Sequence, residues 1–186
     1  MRTHDLCRGN AGKVIYMVRD PRSVVSSLYT FSLRQGKYGG HFDEFFDDFM
    51  NGRVQPFGSW DAHVRYWLGQ ETPQKSSQVY PIKYESLRLE PLRVLDDLLR
   101  WLGEVVDHEA IVEAVNNNTV EKMRKKEDQE ATGEHFSQAK NPHFRFVDEG
   151  TTKGWPEKLN AEQRTAIEGR FGPILRRLDY PLSVRI

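Results

Sequence analysis

Apolar positions in this chain follow two patterns. Two short unbroken runs, KVIYMV at 13–18 and QVYPIKY at 78–84, are β-branched and aromatic and predict buried strands. Elsewhere the apolar residues recur every three or four positions and predict helices. Asp20 as a cap and Pro21 at the first helical position open a helix that runs to about Gly36. FDEFFDDFM predicts a short amphipathic helix stopped by Gly52, and SWDAHVRYWLGQ places Trp60, Val64 and Trp67 on one face. EPLRVLDDLLRWLGE begins at Pro91 and ends at Gly103; DHEAIVEAV and TVEKMRKKE predict two more helices. The last, NAEQRTAIEGRFGPILRRL, is weakened in its middle by Gly169, Gly172 and Pro173. Strands alternating with helices predict an α/β fold with parallel pairing. Two strands are too few for a complete doubly wound sheet, so a further N-terminal strand and its loop are expected upstream. Residues 129–159 form a polar stretch with scattered Phe136, Phe144, Phe146 and Trp155, and a loop of that length is functional or disordered.

Composition narrows the function. The 186 residues suit one domain or a large piece of one, and 38% hydrophobic with 11% aromatic residues excludes global disorder. Lys+Arg and Asp+Glu both total 27, so no nucleic-acid partner is advertised and any anion site must be local. The lone Cys7 excludes an internal disulfide framework and fits a reducing, cytoplasmic compartment. No apolar run approaches the roughly 20 residues needed to span a bilayer, so no membrane role is expected. The six histidines show no metal-ligand spacing, and no metal is expected.

The join between the first strand and its helix, RDPRSVVSSLYTF at 19–31, carries more polar chemistry than capping requires. Arg19 sits at the carboxyl end of the strand, where open α/β sheets bind ligands. Its guanidinium suits bidentate contact with a phosphate, and Ser23 and Ser27, four apart, share a helix face and can donate to the same anion. A second reading is equally open at this level: Asp20 caps, Arg19 pairs with a surface carboxylate, and the serines bond back to their own helix.

KVIYMVRDPRSVVSSLYTF resembles the 3′-phosphate-binding segment of the sulfotransferases that use 3′-phosphoadenosine 5′-phosphosulfate (PAPS). In that family an Arg closes the strand and a Ser eight residues later joins it on the 3′-phosphate; these are Arg19 and Ser27. Three further stretches are similar to family segments in the same order: GRVQPFGSWDAHVRYWLG, VYPIKYESLRLEPLRVLDDLLRWLG and NTVEKMRKK. The resemblance runs from about residue 2 to about residue 178 and implies a P-loop-like parallel sheet flanked by helices. It implies His4, in MRTHD, as the catalytic base, a role imidazole suits at neutral pH. It places Tyr84 near the adenine and 3′-phosphate, although a packed strand-end tyrosine is the plainer reading. Thr119 and Val120 fall where the family usually has Ser and Phe beside the adenine. Valine there forfeits an aromatic edge worth about 1 kcal/mol. His63 reads as a packed, hydrogen-bonded core residue.

Two departures stand out. The family's late Arg-Lys-Gly signature falls on Asp148, Glu149 and Gly150, so only Gly150 is kept; either Arg145 or Lys153 substitutes for the lost charge, or 3′-phosphate affinity is lower. The Lys-Ser-Gly-Thr-type loop that cradles the 5′-phosphosulfate occurs nowhere, so residues 1–186 look like the C-terminal two-thirds of the domain. The family's dimer signature is also absent, its key positions being Pro156, Asn160, Ala161 and Thr165. The function implied is sulfonate transfer from PAPS to a small-molecule alcohol or phenol, releasing adenosine 3′,5′-bisphosphate. The alternative is a non-catalytic remnant that binds a nucleotide or a partner.

Overall fold

A computed structural model describes residues 12–54, 58–69, 78–130 and 155–183. The chain divides into two compact units: Met1–Ser27, Gly40–Pro81 and Lys153–Ile186 form the first, and Leu28–Gly39 with Ile82–Thr152 the second. The elements among the described residues are β1 (Lys13–Val18), α1 (Pro21–Arg34), α2 (Phe42–Met50), α3 (Trp60–Leu68), β2 (Gln78–Lys83), α4 (Tyr84–Leu89), α5 (Pro91–Leu102), α6 (His108–Asn117), α7 (Val120–Glu130), α8 (Trp155–Lys158) and α9 (Ala161–Arg177). The two strands are hydrogen-bonded neighbours. The Gln78 N–H donates to the Gly12 carbonyl, start beside start, which makes the pair parallel.

In the first unit Tyr16 and Val18 of β1 pack with Val64 and Trp67 of α3 and Ile174 of α9. Burial pushes the Tyr16 phenol pKa well above its ordinary value. Its hydroxyl lies 3.0 Å from His63 Nδ1, so His63 is the hydrogen-bonded packing residue its apolar helix suggests. α9 buries Ile167, Phe171 and Leu175 completely, while α2 buries Phe45, Phe46 and Phe49. Gln163 donates to Asp43 at 2.8 Å, and the Arg170 guanidinium donates to the Met50 carbonyl, so the two helices run side by side in the same sense. The turn after α2 depends on Gly52: its φ is +70°, and a Cβ there would meet the Ser59 nitrogen at 2.7 Å.

Three expectations need correction. Neither strand is fully buried. Ile15 and Met17 on the outward face of β1 are 48% and 50% exposed, and Ile82 is the one buried residue of β2. An unbroken apolar run suggests cover on both faces, but whether cover exists is decided by other parts of the fold. The last helix is continuous through Pro173. Burying Ile167, Phe171, Ile174 and Leu175 along one stripe, at about 1.5–3 kcal/mol each, exceeds the roughly 3 kcal/mol proline penalty. The short helices α4 and α8 are not foreseen by periodicity. α4 ends at Glu90 because the residue before Pro91 is pushed out of the helical region; its φ and ψ are −133° and 54°.

In the second unit α5 starts with Pro91 at its first turn and ends on Gly103 at φ +84°. Asp107 caps α6 by accepting from the Ala110 N–H at 3.0 Å. Among the described residues no helix is long and apolar enough to cross a membrane, and no group of three or more His, Cys, Asp or Glu could hold a metal ion.

Candidate functional site

A helix start ordinarily leaves four backbone N–H groups for an anion or a cap. Residues 21–24 at the start of α1 leave none. Pro21 has no N–H, and Arg22 donates its own to Asp20 Oδ1 at 2.9 Å. Ser23 and Val24 both donate to the Asp20 carbonyl, at 3.0 and 2.9 Å. Asp20 is therefore the cap that its place before Pro21 predicts, and the N–H groups of residues 22–24 are already used.

Three polar side chains stand at this turn. Arg19 follows β1 directly and is half-buried, with its backbone carbonyl held by the Trp60 indole N–H at 3.2 Å. Ser23 is 5% exposed, and its hydroxyl is buried with no hydrogen-bond partner among the described residues. Ser27, half-buried, stands one turn further along the same face. Ser26 does bond back to its own helix, donating to the Arg22 carbonyl at 3.2 Å; Ser23 does not. A buried hydroxyl without a partner costs about 1–3 kcal/mol, so the Ser23 position favours the arrival of an acceptor.

Beneath the turn lies a buried charge cluster that the sequence does not disclose. Arg22 has no exposed surface. Its Nε and Nη2 donate to Asp20 Oδ1 at 2.9 Å and Oδ2 at 2.7 Å, a bidentate fork. Nη1 donates to Glu168 Oε1 of α9 at 2.6 Å, and Nη2 also reaches the Pro181 carbonyl at 2.8 Å. The guanidinium carbon sits 4.2 Å from the centre of the Trp155 ring. Glu168 in turn accepts from the Ser183 backbone N–H, at 3.0 Å on Oε2, and from the Ser183 hydroxyl. Burial alone would lower the Arg22 pKa. The hydrogen bonds and charge of Asp20, and then of Glu168, outweigh it and hold the pKa above its ordinary value. The local signal, Asp20 two residues before Arg22, was present; Glu168, 146 residues away, was not legible.

The remaining candidates are placed separately. Tyr84 opens α4 in the second unit and is half-buried. Thr119 is exposed, and its hydroxyl accepts from the Lys122 N–H at 3.3 Å, capping α7, whose first residue is the half-buried Val120. Arg19 and Ser27 belong to the first unit, whereas Tyr84, Thr119 and Val120 belong to the second. His4, Arg145, Asp148, Glu149, Gly150 and Lys153 lie outside the described residues.

The family model described as sulfotransferase domain matches residues 5–179, nearly the whole chain. The chain belongs to the sulfotransferase family. Among curated sulfotransferases, mouse sulfotransferase 1A1 is 24% identical over 176 residues, covering 94% of this chain and 59% of its own length. Human sulfotransferase 2B1 is 31% identical over 166 residues, covering 88% of this chain and 44% of its own. This sulfotransferase chain thus spans about half the length of such relatives. Its fold resembles that of retinol dehydratase solved with retinol and PAP, at a TM-score of 0.72 and 18% identity over 94% of this chain and 49% of that one. A mouse sulfotransferase complexed with PAP gives a TM-score of 0.68 at 19% identity, over 90% and 59% of the two chains. These likenesses support the α/β fold that the strand and helix pattern predicts.

Proposed function

We propose that this chain carries the nucleotide 3′-phosphate site of a PAPS-dependent sulfotransferase acting on the hydroxyl of a small-molecule alcohol or phenol. The observation that carries this reading is the turn at 19–27. The N–H groups of residues 22–24 are used, and the turn offers a guanidinium-bearing residue, a buried unpartnered hydroxyl and a second hydroxyl one helical turn further on. Arg19 would grip the 3′-phosphate, with Ser23 and Ser27 donating to the same group. Tyr84, Thr119 and Val120 would line the adenine, and Gly150 would present its backbone to the 3′-phosphate, as the family resemblance implies.

In the reaction the acceptor oxygen forms a new bond to sulfur while the bond from sulfur to the nucleotide phosphate oxygen breaks. Adenosine 3′,5′-bisphosphate leaves, and the acceptor proton passes to the imidazole of His4. Positioning and charge stabilisation dominate such in-line transfers.

Titration calorimetry tests the nucleotide reading. Adenosine 3′,5′-bisphosphate should bind at least about tenfold more tightly than AMP, since charge-assisted contacts to a phosphate exceed the roughly 1.4 kcal/mol that a tenfold ratio represents. Equal affinities would overturn it. The role of His4 is tested in the complete domain. His4→Ala should lower kcat by about 10² to 10⁴ and leave nucleotide affinity nearly intact. The rate should also fall as pH drops through the imidazole pKa, because only the neutral ring accepts a proton. A variant that keeps a near-normal kcat would assign the base elsewhere.

A further inference from the structure

We propose that Arg22 and Glu168 are positioning residues for the phosphate arginine: they hold the β1–α1 turn in register and tie it to the segment that follows α9. The inference rests on the phosphate reading of Arg19 and adds to it a pair that never touches the nucleotide.

Arg19 and Asp20 are the two residues between β1 and α1. Each is pinned by a different contact. The Arg19 carbonyl accepts from the Trp60 indole at 3.2 Å, and the Asp20 carboxylate is gripped by both arms of Arg22. Arg22 could cap and brace its own turn with Asp20 alone. It makes two further bonds, to Glu168 of α9 and to the Pro181 carbonyl, and Glu168 receives Ser183. The turn that carries Arg19 is thereby anchored to residues 181–183, beyond the end of α9.

One guanidinium and two carboxylates are buried together here. Burying such a group is rarely the most stable solution; an apolar cluster of similar volume is often as stable or more so. Retention of the ions makes sense if directional bonds are needed at this place. A guanidinium fixes angles in a plane, which a packed leucine does not. A bidentate grip by Arg19 on a phosphate has strict angular demands, so a small tilt of the turn would cost affinity for that group alone.

The test measures the ratio of AMP to adenosine 3′,5′-bisphosphate dissociation constants for the full chain and for Glu168→Gln and Arg22→Lys. Titrations are run well below each variant's melting temperature. Glu168→Gln is isosteric and keeps the Asp20–Arg22 fork, but it removes the charge and leaves one carbonyl oxygen to accept from both Arg22 and Ser183. Arg22→Lys keeps the charge and loses the planar fork. Both should hold AMP affinity within about twofold and lose about tenfold or more of the preference for the bisphosphate, the scale expected for an ångström of misplacement. Should Arg22→Lys not fold, the isosteric Glu168→Gln decides. A wild-type chain with no preference would refute the phosphate reading itself. A wild-type preference that survives in the folded variants, or a parallel loss for both nucleotides, would show that the cluster only stabilises the fold and overturn the positioning role.

Discussion

Arg19→Ala should lower the affinity for adenosine 3′,5′-bisphosphate by about 2–4 kcal/mol, or roughly 30- to 1,000-fold, with little change for AMP. The size follows from what remains. Because the N–H groups of Arg22, Ser23 and Val24 are already spent on Asp20, they cannot replace the lost charge. On this helix the Ser23 and Ser27 hydroxyls would be left to hold the phosphate. Arg19→Lys should fall between, since an ammonium restores the charge and not the two parallel bonds. A change below about threefold in Arg19→Ala would remove this residue from the site.

Arg22→Met should cost about 3–5 kcal/mol of folding stability, read as a lower urea midpoint with an unchanged slope. The substitution leaves the Asp20 and Glu168 carboxylates without their shared counter-charge in a site where Arg22 is wholly buried. Against the 5–15 kcal/mol that typically holds a domain folded, this is a large fraction. Adding Glu168→Gln to Arg22→Met should recover part of the loss, because it removes one of the stranded charges. A cost under about 1 kcal/mol, or no recovery in the double variant, would mean that water or other partners neutralise the carboxylates.

What could be read from the sequence was what short-range chemistry decides. The 13–18 strand, the Asp20–Pro21 start of α1, the Pro91 start and Gly103 end of α5 are written within a few residues of where they act. The face of α1 shared by Ser23 and Ser27 was legible for the same reason, since the two are one turn apart. Burial was not local. KVIYMV looks like a doubly covered strand, yet Ile15 and Met17 remain half exposed because covering them depends on other segments. The continuity of α9 through Pro173 likewise reflects Phe171 and Leu175 packing, which outweighs a penalty visible in the sequence. Nothing in the sequence singles out Arg22, because Glu168 and Pro181, which it binds, stand more than a hundred positions away.

The closed-off start of α1 also bears on which ionic form of a phosphate the turn can hold. A backbone N–H can only donate, so an anion nest made of amides rejects an oxygen that carries its own proton. A serine hydroxyl rotates and can accept as readily as it donates. A phosphate monoester has a second pKa of about 6, so its monoanion becomes abundant in mildly acidic solution. If Arg19, Ser23 and Ser27 hold the phosphate as proposed, a protonated oxygen would turn toward a hydroxyl while the other two stayed on the guanidinium. Nucleotide capture should therefore decline gently on acidification, with no sharp cutoff at the phosphate titration.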